Sequence, residues 1–185
     1  MALMRLFTAL DLPAEVVGNL EELVRRLRPV ARIQWSPPAN LHITTRFIGE
    51  WPEERLAELK DALAGLPVRP AIAVSVRELG FFPHPRAPRI FWCGIQAPGL
   101  EALAQDTDEA IGQLGLARQD RGFSPHLTLA RIKDRPDLRP LEEAIAVLPG
   151  RDFGRFQASR FFLYRSELRP GGSVYTKLAE FPFSS

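Results

Sequence analysis

The sequence predicts a mixed α/β fold made of two similar lobes around a cleft. Three observations predict it. Strand-like and amphipathic helix-like segments alternate along the 185 residues. One strand–helix pattern occurs twice. The composition, 45% hydrophobic and 25% charged, is that of an ordinary globular chain long enough to bury a two-lobed core.

Leu3 to Leu10 is apolar and loosely alternating, which predicts a strand. Pro13 sits where a helix can begin, and Val16, Leu20, Leu23, Val24 and Leu27 follow at helical spacing until Pro29. Pro37-Pro38 marks a loop. Leu41 to Ile48 reads as a strand closed by Gly49. Pro52 opens a second helix with Leu56, Leu59 and Leu63 on one face. Ala71 to Leu79 and Arg89 to Ile95 read as strands, and the proline-rich GFFPHPRAP between them reads as loop. Leu100 to Leu114 is a third amphipathic helix, His126 to Ile132 a strand, and Leu138 to Leu148 a fourth helix stopped by Pro149-Gly150. Two last strands, Arg160 to Leu168 and Val174 to Phe181, flank a Pro170-Gly171-Gly172 turn.

The repeat is seen by aligning His42 with His126. HITTRFIGEWPEERLAELKDALAGLP matches HLTLARIKDRPDLRPLEEAIAVLP. Each copy has a strand carrying His-x-Thr, a proline ten residues after the histidine (Pro52, Pro136) and an acidic helix ending in Leu-Pro. Residues 1–185 are therefore read as a single bilobal domain with motifs at 42–45 and 126–129. A pseudo-twofold arrangement would bring both histidines to one central cleft.

The formal net charge of +2 does not by itself call for nucleic acid. Only Lys60, Lys133 and Lys177 among the 24 basic residues are lysine, and arginine pairs bidentately with phosphate. Biased genome composition or a thermophilic host would give the same skew. Cys93 alone can build neither a disulfide framework nor a cysteine-based zinc site within one chain. MALMRLFTALDLP lacks a signal-peptide pattern, and no apolar stretch approaches the roughly 20 residues of a membrane span. The expectation is a soluble cytoplasmic protein.

His42, His84 and His126 are the only histidines. Residues two apart on a strand share a face, so His42 lies with Thr44 and His126 with Thr128. Across a cleft, one neutral and one protonated imidazole can serve as base and acid for breaking a phosphodiester. The threonine hydroxyls can donate to the non-bridging phosphate oxygens. Nothing in this arrangement requires a metal or other cofactor. A metal site is the competing reading, but it needs three or four ligands, and no acid flanks either motif within its strand.

The paired motifs resemble those of the 2H phosphoesterases, most specifically the bacterial and archaeal RNA 2′,3′-cyclic phosphodiesterases, historically called 2′-5′ RNA ligases. The segments RLFTALDLP, LHITTRFIGE, PRIFWCGI, FSPHLTLARI and LYRSELRPGGSVYTKLAEFPF carry the resemblance in order, over nearly the whole chain. It implies a bilobal α/β fold with two antiparallel sheets about a cleft. It also implies hydrolysis of RNA 2′,3′-cyclic phosphate ends to 2′-phosphomonoesters. His42 would be the proton donor to the leaving 3′ oxygen and His126 the base that activates water. Thr44 and Thr128 would hold the phosphate. The repeat alone leaves the two histidines interchangeable.

Two positions depart from this picture. Thr45 stands where the family has an apolar residue, and parity turns it away from the cleft. The family also places an arginine after the second motif against the phosphate. Strict alternation puts Arg131 on the opposite face unless the strand bends or ends, and puts Arg46 in the cleft. Both are kept as substrate-binding candidates.

Two other readings stand beside hydrolysis, namely 2′-5′ RNA joining at the same site and non-catalytic RNA-end binding. The expected partner is RNA with a cyclic-phosphate end (transfer-RNA fragments, other RNAs or small cyclic nucleotides), met by a monomer away from membranes. His84 reads as an exposed loop histidine. Phe7, Phe81, Phe82, Phe91 and Trp92 read as core, with base stacking as the alternative. Gly171-Gly172 reads as a turn.

Overall fold

The computed structural model describes residues 2–84, 86–119 and 122–184. Its regular elements are β1 (Leu3–Leu10), α1 (Ala14–Leu27), β2 (Gln34–Trp35), β3 (Ile43–Pro52), α2 (Leu56–Ala64), β4 (Ile72–Phe82) and β5 (Ile90–Gln96). There follow α3 (Leu100–Gln113), β6 (His126–Arg131), α4 (Arg139–Ala146), β7 (Asp152–Ala158), β8 (Arg160–Arg169) and β9 (Gly172–Pro182). The strands form two antiparallel sheets, one ordered β3-β1-β8-β9 and the other β2-β6-β5-β4-β7. The fold is the mixed α/β arrangement expected, with four helices.

The helices bind the sheets crosswise. α1 leaves β1 of the four-stranded sheet but packs on β7 and α4 at the five-stranded one. Its face of Val16, Leu20, Leu23, Val24 and Leu27 is buried there. α3 leaves β5 of the five-stranded sheet and packs on β3 and α2. The four-stranded sheet therefore joins the first strands of the chain to the last. The main core holds Leu6, Leu10 and Leu163 from one sheet with Val74, Phe91 and Leu127 from the other. Phe7, Ala9, Phe162 and Tyr164 gather separately on the opposite face of the four-stranded sheet.

Several boundaries differ from expectation. β3 runs past Gly49 to Pro52, and β4 runs to Phe82. The first residues of the GFFPHPRAP segment are thus strand, because Gly80, Phe81 and Phe82 still pair with Trp92, Phe91 and Ile90. Pairing stops at Pro83, which has no N–H to donate; Pro85 lies outside the described residues. Two strands were not expected. β2 is only two residues long. β7 has its alternation interrupted at Gly154, where φ is 130° and the register with β4 shifts. No helix is long and apolar enough to cross a membrane among the described residues.

Candidate active site

The two motif strands, β3 and β6, approach until their Cα atoms lie within 8 Å. Each is distorted at the same point. On β3, Ala9 pairs with Thr44 and Thr8 with Arg46, which leaves Thr45 as an extra residue. On β6, Trp92 pairs with Thr128 and Phe91 with Ala130, which leaves Leu129 extra. Both are bulges three residues after the histidine, and a bulge reverses the alternation beyond it.

That reversal settles the two arginines. Beyond the bulge Ala130 is buried and Arg131 is exposed, opposite Ile90 and on the face that carries His126 and Thr128. The matching residue on β3 is Phe47, not Arg46. Arg46 is turned inward and only 5% exposed. Its Nε donates to Asp108 Oδ1 at 2.9 Å, its Nη1 to the Phe47 carbonyl at 2.5 Å and its Nη2 to the Ala117 carbonyl at 2.7 Å. The expectation of Arg46 in the cleft is therefore corrected. It assumed unbroken parity, and the residue instead ties α3 and the segment after it to β3. Thr45 is turned away from the cleft as expected, its hydroxyl 2.6 Å from that of Thr8, which is fully buried.

Each histidine ring is oriented by backbone two residues upstream. His126 Nδ1 lies 2.9 Å from the Ser124 carbonyl. A carbonyl only accepts, so Nδ1–H donates and Nε2 is the nitrogen left to face the cleft. His42 has a backbone hydrogen bond to Asn40. Thr44 is exposed and Thr128 half-buried, each on the face of its histidine.

The surroundings of the two rings differ. His42 is held among aromatics, its ring centroid 4.4 Å from Tyr164, 5.4 Å from Tyr175 and 6.1 Å from Phe7. The Tyr164 hydroxyl donates to Asp11, whose other carboxylate oxygen lies 2.6 Å from Lys177 Nζ. Burial lowers the His42 pKa; the Asp11 charge and the Asn40 bond oppose this, and Lys177 adds to it. Burial and the bond to Asp11 push the Tyr164 hydroxyl up, so it stays protonated. These platform residues were missed from the sequence. The residue next to Leu10, which pairs with Ile43, is an acid, and that was the one available sign.

Beside His126 there is space. A cavity of about 390 Å³ is lined by Phe82, Trp92, Gly94, Ser124, Arg77 and Glu78, among others. Of the aromatics read as core, Phe91 is fully buried, and Phe81 stacks on it at 5.0 Å. Phe82 and Trp92 do not follow that expectation, since they face the cavity. Phe7 is buried as expected, on the cleft face. His84 is exposed and accepts a bond from the Arg86 amide. Cys93 is buried, its thiol pushed up to about 12 by desolvation, so it is no nucleophile at neutral pH. Among the described residues no group of three or more His, Cys, Asp or Glu is placed to hold a metal ion.

The LigT like Phosphoesterase family model matches residues 10–92 and 95–175, one His-x-Thr motif in each segment. The chain belongs to this family. It is 32% identical to an RNA 2′,3′-cyclic phosphodiesterase of Methanocaldococcus jannaschii, covering 96% of this chain and 99% of the relative. A Thermus thermophilus protein of the same description is 36% identical, covering 96% and 89%. The structure of E. coli LigT in complex with 3′-AMP superposes with a TM-score of 0.82 at 25% identity, over the full length of both chains. This LigT-like fold thus carries a motif strand in each of its two sheets.

Proposed function

We propose that this phosphoesterase opens RNA 2′,3′-cyclic phosphate ends to 2′-phosphomonoesters by acid–base catalysis between His42 and His126. The observation that carries this is the matched geometry of the motif strands. Each presents a backbone-oriented imidazole and a threonine on one face, with a bulge at the same place. The relatives described as RNA 2′,3′-cyclic phosphodiesterases support the substrate. Thr44 and Thr128 donate to the non-bridging oxygens, and Arg131 offers its guanidinium to the same charge. His126 takes a proton from water as the water oxygen bonds to phosphorus, the P–O3′ bond breaks, and His42 protonates the leaving 3′ oxygen. Residues 1–185 act as one unit, a monomer working on RNA in the cytoplasm; a single buried thiol fits that compartment.

The test is a cyclic-phosphate oligonucleotide incubated with the protein in EDTA, with the product phosphate located. A 2′-phosphate is the expected result. Tight binding without turnover would favour an RNA-end binder, and joined product with a 5′-hydroxyl strand would favour a ligase.

One observation favours the reverse proton assignment. Burial lowers the His42 pKa, which favours the neutral imidazole that a base needs in the free protein. A substrate with sulfur at the 3′ bridging position separates the two assignments, because a thiolate leaves without an acid. The histidine variant rescued by that substrate has lost the donor, expected to be His42.

A further inference from the structure

The cations of this chain are not all alike. Arg46, Arg55, Arg69, Arg139 and Arg160 each meet a carboxylate. Arg32, Arg86, Arg89, Arg131 and Lys133 are in no ion pair among the described residues. Pairing brings these five to one end of the five-stranded sheet. Arg131 on β6 lies between Gln34 of β2 and Ile90 of β5. The Arg89 carbonyl accepts from the Ile132 amide at 2.8 Å, which ties the β4–β5 loop to the same place. That loop, Pro-His-Pro-Arg-Ala-Pro-Arg from Pro83 to Arg89, contains no acid.

Three of the cations share a face with the second motif. β2 and β6 are antiparallel, so Arg32, two before Gln34, and Lys133, two after Arg131, take the next positions on one face. Exposure alternates to match. Arg32 and Gln34 are exposed and Ile33 and Trp35 half-buried, while Arg131 and Lys133 are exposed on either side of buried Ile132. His126 and Thr128 lie on this face as well. A row of cations therefore leads out of the cleft along β6. Lys133 lies on the order of 15 Å along the strand from Thr128, too far for one phosphate to meet both. On β3 the places matching Arg131 and Lys133 are taken by Phe47 and Gly49, so the row belongs to the His126 side. Asp134 is the one acid in residues 130–136, and the neighbouring Asp137 is taken up by Arg139.

We infer that this row binds the phosphates that precede the cyclic end, so that the preferred substrate is an RNA chain of several nucleotides and not a cyclic mononucleotide. An RNA strand presents one negative charge per nucleotide, and cations that neutralise these charges release condensed counterions. Exposed side chains without an internal partner keep their whole charge for an external one. Phosphate contacts fix the path and register of a chain and carry no sequence information, so the row selects for length and not for base order. The inference rests on the phosphoesterase reading for the phosphate at Thr128, and its test reads binding and turnover separately.

The test is the anisotropy of a 5′-labelled octanucleotide RNA ending in a 2′-phosphate, titrated with the whole chain between about 50 and 200 mM salt. A nucleoside 2′-monophosphate competes as the short probe. The octanucleotide should bind roughly tenfold tighter at the low end, and the advantage should shrink as salt rises. Arg32→Gln combined with Lys133→Gln should weaken octanucleotide binding about tenfold and flatten the salt slope by about 1.4, at about 0.7 for each lost single-strand contact. Both side chains are exposed and unpaired, so the double variant keeps its fold. Lys60→Gln, a charge change on α2 away from the row, should bind the octanucleotide as the wild type does. An octanucleotide that binds no tighter than the mononucleotide, or a double variant that matches Lys60→Gln, would overturn the row. Turnover of a cyclic-phosphate octanucleotide and of a cyclic mononucleotide is assayed in parallel. Equal kcat/KM for both would overturn the row and leave the phosphoesterase reading intact. Salt-sensitive octanucleotide binding with no turnover of either would keep the row and overturn that reading.

Discussion

His42 and His126 stand at matching points of two strands and meet opposite conditions. The strand beside His42 leads to Asp11, and three aromatic rings close around the imidazole. The strand beside His126 offers Gly94, and a cavity opens. Five residues on from each histidine the contrast continues. Arg131 presents a cation, and Phe47, 43% exposed, presents a ring with the Arg5 guanidinium 5.4 Å from its centroid. A duplicated motif thus sets the backbone, with the same bulge and the same imidazole tether, while neighbouring strands make the two sides unequal. Acid–base chemistry needs that inequality, since one ring must give a proton while the other takes one.

Removing either imidazole should break the comparison outright. His42→Ala and His126→Ala are each expected to lower kcat/KM on a cyclic-phosphate oligonucleotide by about 10²–10⁴-fold, measured from initial rates. Equal wild-type rates in both variants would sink the two-histidine mechanism. Arg46→Ala sharpens it from the structural side. It breaks a buried ion pair and should cost about 3 kcal/mol in urea unfolding, with KM unchanged for the folded fraction. A raised KM would return Arg46 to the cleft. Arg131→Ala removes a charged hydrogen-bond donor and should reduce kcat/KM about 10–100-fold, with little change in the unfolding midpoint. The smallest effect concerns His42 alone. Asp11→Asn deletes a charge that raises its pKa, so the imidazole should titrate at lower pH; Lys177→Met deletes a charge that lowers it, so titration should move up. Imidazole signals followed against pH would show both, and shifts of the same sign would refute the electrostatic account.

The sequence carried the motifs plainly because histidine and threonine are scarce and the repeat marks equivalent points. It carried the helices through apolar spacing, as at Val16, Leu20 and Leu27. Three features escaped it. The bulges at Thr45 and Leu129 have no residue signature, being unpaired residues that only a partner strand defines, and so Arg46 was placed in the cleft. β2 and β7 were lost to shortness and to a break at Gly154. The His42 platform was lost because Tyr164, Tyr175 and Lys177 lie over a hundred residues away on strands whose register the sequence does not state. Phe82 and Trp92 read as core because their apolarity is the same whether a ring faces packing or a cavity.

The crosswise weave has a consequence in the order of synthesis. The five-stranded sheet is drawn from residues 34–158, so every strand beside His126 is made before β8 begins. The four-stranded sheet needs β8 and β9, the last strands of the chain, to flank β1. Domains form from the N-terminus as they emerge, and contacts distant in sequence close last. His42 is therefore translated among the first 50 residues and gains its tyrosine platform only when nearly all the rest has been made. The side of the cleft that leads the sequence is the last to be assembled.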